Sequence, residues 1–330
     1  MAVSGLGSIL EIEEPIAEPS FLGRIASSLL RFARKKPLGA ACGVAVVFFM
    51  IIGDIVPETV NKATSVAGLG KPVPYMADVL ADHTGFLYRY YDQVPRDRLQ
   101  GSSLKHLLGT DNIGRDTLSR LMYGARVAVM VSFGTVVISQ AIAATLGISS
   151  GFYGGVFDKI VFRYVDVSQA LPGLVVLITI FGIWDANLWL MIIVFGVYGG
   201  PINSRIIRSQ AISVMASPFV ESAKVIGASD RRIMVRYVLP NVFPLLILSA
   251  TVQLGFIVLL EAALSFLGYG LDPPFPTWGQ MLNLEGRQYM RSHVGLALYP
   301  GLAIALLVFS FNLFGDALRD VLDPRLRGSR

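Results

Sequence analysis

Three strings in this 330-residue chain have residue types and spacings that suit chemistry. Gly147-Ile148-Ser149-Ser150-Gly151 matches the GxSxG pattern of serine hydrolases, which requires a sharp strand-to-helix turn with a histidine and an acid converging on the serine. Here the string closes an apolar run of membrane-helix length, so no nucleophile is expected. Gly70-Lys71 is the sole Gly-Lys pair, and Pro72 follows where a phosphate loop needs a Ser or Thr hydroxyl for Mg²⁺. His83, His106 and His293 stand apart, without HExxH or Cys/His ligand spacing. Cys42, the only cysteine, has no intrachain disulfide partner. The expectation is a chain with no catalytic residue, no cofactor site and no metal site of its own.

Glu261 is the most exposed titratable hypothesis. It lies in LLEAALSFLG, past the middle of an apolar run, where a charged carboxylate facing lipid costs on the order of 3 kcal/mol. It is expected to turn toward a helix bundle, pair with a polar group, become protonated or approach the outer interface. Gln253, two helical turns earlier, shares a similar face. A satisfied structural carboxylate is the competing reading for Glu261.

Between two apolar stretches, residues 221–241 read ESAKVIGASDRRIMVRYVLPN, polar, basic and turn-containing. Pro218 suits a first helical turn, Ser217 a cap before it without a complete capping box, and Glu221 the positive helix end. Phe219, Ala223 and Ile226 share one face by three-and-four spacing. Gly227 is placed to take the left-handed conformation that ends a helix. Ser229 or Asp230 is placed to cap a second short helix bearing Ile233 and Tyr237, closed by Leu239 and Pro240. The expected product is a helix, a glycine turn and a helix, with small residues Ser222, Ala223, Gly227 and Ala228 where a partner can approach.

These elements need a frame, and composition bounds it. With 53% apolar residues, 15% charged residues and a mean hydropathy of +0.59, most of the chain must face lipid. Windows of bilayer length fall near 38–56, 127–148, 167–184, 186–204, 242–268 and 294–315. Six membrane helices are the expectation, the third and fourth forming a tight hairpin. Lys and Arg cluster at Arg24 to Lys36, at Lys159 and Arg163, from Arg205 to Arg236 and from Arg319 to Arg330, which the positive-inside rule assigns to the cytoplasm together with both termini. Residues 57–124 and 271–293 are then outside; basic residues there, among them Arg89, Arg96, Arg98, Arg115 and Arg120, do not overturn this, because long loops translocate largely regardless of charge. The basic pI near 9.3 follows from topology and anionic lipid rather than nucleic-acid binding. The start is read as a cytoplasmic tail without a cleavable signal, since Glu11 to Glu18 make an unsuitable n-region. The organisation expected is a tail at 1–37, a first span at 38–56, an outer loop at 57–124, a five-span core at 125–316 with the loop 217–240 inside it, and a tail at 317–330. Gly147, Gly151 and Gly155, Gly39 with Gly43, and Gly196 with Gly200 have the spacing that lets membrane helices approach closely. Pro172, Pro201, Pro244 and Pro300 are candidate kinks.

The segment from Glu221 resembles the cytoplasmic "EAA" loop of binding-protein-dependent ABC importer permeases. Glu221, Ala223, Gly227, Leu239 and Pro240 match that pattern in register, while Ser222 replaces its first alanine and Tyr237 its isoleucine. LGTDNIGRDTLSRLMYG (108–124), GFYGGVFDKIVFRYVD (151–166) and LSFLGYGLDPPFPTWGQM (264–281) are similar to the C-type permease subunit of the peptide and nickel importers, with coverage from about residue 31 to 324. The resemblance implies an all-α type I importer permease of six spans in a bacterial inner membrane. It also implies a homologous second permease, two ABC ATPase subunits that carry ATP and Mg²⁺, and an extracytoplasmic solute-binding protein as partners. ATPase coupling would fall to Glu221, Ser222, Ala223, Gly227, Ala228, Ser229, Asp230, Arg236, Leu239 and Pro240; Glu261 and Gln253 would belong to a translocation path or permease interface.

Two other classes are weighed. A proton-coupled secondary transporter using Glu261 would need embedded titratable residues and usually an internal repeat; beyond Glu261, Asp54 and Asp166 the spans offer few, and no clear repeat is seen. An intramembrane enzyme would need a convergent catalytic set, and none is read. Dipeptides, longer peptides, nickel chelates and glutathione are not distinguished by these residues.

Overall fold

The computed structural model describes residues 33, 36–52, 88, 90–273 and 275–322. The tail at 1–32, most of the outer loop, including Asp54, Gly70, Lys71 and His83, and the end at 323–330 lie outside the described residues.

The frame is helical: α1 (Pro37–Ile52), α2 (Thr117–Tyr153), α3 (Gly155–Ala170), α4 (Gly173–Ile183), α5 (Leu188–Met215), α6 (Pro218–Val225), α7 (Asp230–Ile233), α8 (Leu239–Phe266), the short α9 (Trp278–Met281) and α10 (Arg287–Tyr289), and α11 (Gly295–Leu322). Among the described residues the sole strand-like pairing is an isolated antiparallel bridge between Thr110 and Asp116. Four helical stretches are long and apolar enough to cross a bilayer: α2, α5, the run Asp230–Phe266, and α11 through Arg319.

The expected third span is corrected. The window 167–184 is not one helix: α3 and α4 meet at an 80° bend, where Leu171 and Pro172 are extended. Proline disfavours a helical residue before it and cannot donate to the preceding turn. If this bent pair is one span the count is five. The described part of α1, 16 residues or roughly 24 Å, is shorter than a bilayer core of about 30 Å, so the described residues do not establish six spans. The second span begins earlier than its apolar window, because Asp116 caps α2 by accepting from the Ser119 N–H at 2.8 Å; residues 117–124, read as loop, are its first turns.

Side chains of one long helix fill the glycine gaps of the other where α2 packs on α5. A Cβ on Gly196 would lie 2.7 Å from Ile138, one on Gly200 2.6 Å from Ile142, and one on Gly147 2.8 Å from both Ile207 and the Ser204 carbonyl. Gly39 and Gly43 similarly admit Ala317 and Phe314 of α11. Gly155 departs from the expected stripe: it starts α3 at φ +56°, with open space around it. The GxSxG string lies inside α2, without the strand-to-helix turn a nucleophile needs. A central apolar cluster gathers α1, α2, α8, α9 and α11 around Trp278 and Phe311.

Candidate coupling segment and membrane groove

Residues 217–240 form one end of the bundle. Gly227 has φ +81°. The Gly227 N–H donates to the Lys224 carbonyl at 2.9 Å and the Ala228 N–H to the Ala223 carbonyl at 3.0 Å, the paired bonds of a Schellman turn, which satisfies carbonyls left open where α6 ends. A Cβ at Gly227 would meet nothing, so backbone conformation, not crowding, calls for glycine there. Neither Ser217 nor Ser229 caps with its hydroxyl.

Two local expectations are corrected. The buried face of α6 is Val220 and Ala223, not Phe219, Ala223 and Ile226; Phe219 and Ile226 are exposed. The i to i+3 pair that meets the bundle is one residue out of register from the one chosen by hydrophobicity alone. Leu239 and Pro240 do not close a short helix either. A π-helical turn at Met234–Val238 joins α7 to α8, and the Leu239 N–H donates to the Met234 carbonyl. Pro240 then falls in the first turn of α8, where a missing N–H costs little.

The segment is anchored by Val220, Ile233 and Val238, which share a cluster with Ala143 and Ile148 of α2, Ile207 and Ala211 of α5, and Val242 and Leu246 of α8. Outward stand Glu221, Ser222, Lys224, Val225, Ile226, Ser229, Asp230, Arg231, Arg232 and Arg236. Val225, 86% exposed, and Ile226, 78% exposed, are apolar tips ringed by charge. Beside the segment, Arg208 of α5 grips both Asp158 carboxylate oxygens and lies over the Phe162 ring.

α4, α5 and α8 line an open groove of about 840 Å³ on the side of the bundle, with Val252 and Phe256 of its wall exposed. Its lining is apolar except for Tyr198, Asn203, Ser249 and Gln253. Gln253 is buried; its Nε2 donates to Ser139 Oγ at 2.8 Å and its Oε1 accepts from Gln140 Nε2 at 3.1 Å. Glu261 is elsewhere. It is 1% exposed, inside the chain's own wall, where Ser265 Oγ donates to its Oε1 at 2.7 Å. The segment carrying Gly279 presses against Ala262 and Ser265 beside it. The structure thus places Gln253 on the groove and does not bring Glu261 to it.

A charged cluster at the opposite end was missed by the sequence reading. Arg120 Nη1 donates to Asp111 Oδ2 at 2.6 Å and Glu285 Oε1 at 2.7 Å, and Arg115 Nη2 donates to the same Glu285 oxygen at 2.9 Å. All four residues are buried. Close by, His106 is sandwiched between Asp116 and Asp97, and Lys105 pairs with Asp97. The hydrogen bond from Lys105 holds the Asp97 carboxyl below its ordinary range against the opposing pull of desolvation. The signal available in sequence was the density of charge in TDNIGRDTLSR next to an apolar span; its partner Glu285 lies 165 residues beyond Arg120. Among the described residues no His, Cys, Asp or Glu grouping could hold a metal.

Helices of lipid-crossing length and composition, with a polar helix-turn-helix at one end, define a helical protein of the membrane. The chain belongs to the family of binding-protein-dependent transport system inner membrane components, whose model matches residues 143–328, and within it to the ABC importer permeases of the peptide class. It is 38% identical over 238 residues to the dipeptide transport system permease protein DppC of Alkalihalophilus pseudofirmus, covering 72% of this chain and 78% of that protein. It is 36% identical over 239 residues to the glutathione transport system permease protein GsiD of Pectobacterium atrosepticum, with the same coverage. Identity to DppC of Haemophilus influenzae is 40% over 228 residues, 69% of this chain and 77% of that one.

Proposed function

We propose that this chain is one of two homologous permeases lining the path of an ATP-driven importer, receiving peptides or related small solutes from an extracytoplasmic binding protein. Two ATPase subunits, which carry the ATP and Mg²⁺, bind the cytoplasmic loops of the two permeases, in this chain residues 217–240. The chain itself breaks no bond. Both termini and the 217–240 segment face the cytoplasm, in keeping with the Lys and Arg distribution; the Asp111–Arg120–Glu285 end faces outward.

The observation carrying this reading is the construction of the coupling segment. A floppy loop would absorb a push, whereas this one is fastened to α2, α5 and α8 through Val220, Ile233 and Val238 and stiffened by the Schellman turn. It presents Glu221, Val225, Ile226 and the arginines to a partner. Movement of a docked ATPase would pass directly into packed helices.

Affinity purification of the tagged chain from its native membrane in mild detergent tests the assembly. Wild type is expected to bring down a second permease and two ATPases. Gly227→Val strains the backbone by about 1–2 kcal/mol and should lower ATPase recovery while the second permease stays bound. Recovery of the chain alone, in a detergent that preserves a known complex, would sink the assembly and favour a proton-coupled carrier using Glu261.

A further inference from the structure

We infer that the groove between α4, α5 and α8 is a binding station for peptide backbone, in which Asn203 and Gln253 read the N–H and C=O of one residue of an extended chain while the surrounding apolar wall accepts side chains without selecting their charge. This rests on the permease reading above and deepens it by placing substrate chemistry on particular atoms.

The hydrogen bonds form a directed chain. Gln140 Nε2 donates to Gln253 Oε1, and Gln253 Nε2 to Ser139 Oγ, which also accepts from Asn203 Nδ2 at 3.2 Å; the single Ser249 hydroxyl proton is shared between Gln140 Oε1 at 3.1 Å and the Leu246 carbonyl at 3.0 Å. Asn203 Nδ2 additionally donates to the Gly199 carbonyl. The chain holds both groove carboxamides in fixed orientations yet leaves capacity unused. Asn203 Oδ1 accepts no hydrogen bond among the described residues, and a carboxamide NH₂ has two protons, of which Gln253 donates one. One free acceptor and one free donor, held on adjacent helices and both bonded to the Ser139 hydroxyl, complement the N–H and C=O of a single residue in an extended backbone, which point the same way, rather than those of one trans amide, which point apart.

The window onto these atoms depends on Gly199. A Cβ there would come within 3.1 Å of Gln253 Nε2 and 3.4 Å of Ser139 Oγ, crowding the carboxamide it now leaves open. No Asp, Glu, Lys, Arg or His lines the groove. A site in a low-dielectric wall without countercharge penalises neither sign selectively, while a buried carboxamide left without its partner penalises any ligand lacking amide groups. The volume of about 840 Å³ is within the ~300–1,000 Å³ of small-ligand sites.

The test uses the whole complex with its binding protein in proteoliposomes, with radiolabelled trialanine and its centrally N-methylated analogue as probes. Uptake is measured alongside binding-protein-stimulated ATP hydrolysis. Wild type should import trialanine in preference to the N-methyl analogue. Gln253→Leu and Asn203→Leu should each cut trialanine uptake about tenfold and bring the preference toward unity, with ATP hydrolysis retained. Val252→Trp narrows the groove from an exposed wall position without touching the hydrogen-bond chain, and should block uptake in an assembled complex. A photoreactive residue at position 252 should label trialanine during turnover. Wild-type uptake and an unchanged preference in both leucine variants would overturn the inference and leave the permease reading intact. So would labelling of the partner permease in place of trialanine, or stimulated hydrolysis with no trialanine import. Loss of the ATPases from the wild-type complex would strike the permease reading itself.

Discussion

Arg120 is the residue whose removal should be felt most. It is 1% exposed and its guanidinium holds two carboxylates, Asp111 nine residues before it and Glu285 165 residues beyond it. Breaking a buried ion cluster by deleting one member typically costs about 3–5 kcal/mol, because the remaining charges stay buried and uncompensated. Arg120→Met is therefore expected to lower the thermal midpoint of the detergent-purified protein, and Glu285→Gln to do so less, since an amide still accepts a hydrogen bond. Equal melting of wild type and Arg120→Met would show that the cluster contributes nothing net. Asp97 responds to pH instead. Its pairing with Lys105 depresses the carboxyl below 3.8 and raises the ammonium above 10.5. A depressed carboxyl stabilises the fold above its unfolded value and loses that contribution as pH falls through the lower folded value; a raised ammonium contributes below its unfolded value and loses it as pH climbs. The contribution of the Asp97 pairing to the protease resistance of residues 94–116 should accordingly be lost as pH falls below about 4. A decline already complete near neutrality would exclude Asp97 as the cause.

The contact between α2 and α5 shows at element scale what sequence can and cannot convey. GxxxG-type spacing at Gly196 and Gly200 was legible as permission for close approach. The partners were not, because Ile138 and Ile142 look like any other apolar residues until the crossing is formed. Gly196→Val should force overpacking against Ile138, costing about 1–3 kcal/mol, and Ile138→Ala should relieve it. Thermal midpoints of the two single variants and the double variant would report this coupling, and strictly additive shifts would contradict the contact. The helix-turn-helix was legible for a stronger reason: Pro218 and Gly227 act through backbone dihedral angles, which neighbours scarcely alter. Its buried face was misjudged because Phe219 and Ile226 exceed Val220 in apolar area, while the chain's entry angle from α5 decides which side meets the bundle. Pro172 was legible as a candidate kink; the 80° break it accompanies was hidden by an unbroken apolar window.

Hydropathy dominates the fold of the whole molecule, so the helical membrane class was readable from composition and the long spans from windows. Sites built from neutral polar side chains left a weaker trace. Gln253 was noticed, but Ser139, Gln140, Asn203 and Ser249 come from three helices, and only packing assembles them. A carboxylate in an apolar run is costly, and Glu261 meets that cost with the Ser265 hydroxyl, in the chain's own interior rather than against lipid.

The passage of Leu239 and Pro240 through an unbroken helix has a mechanical consequence. The 37 residues from Asp230 to Phe266 make one helical run roughly 55 Å long, with the arginine-rich end of the 217–240 segment at one tip and the Glu261 wall near the other, and with the π-turn and Pro244 as its points of bending. A tilt of about 10° around its midpoint would swing the two tips roughly 5 Å in opposite directions. A rotation applied at one tip would therefore reach the other through a single covalent element, with Gln253 near its midpoint and any loss taken up at the π-turn and Pro244.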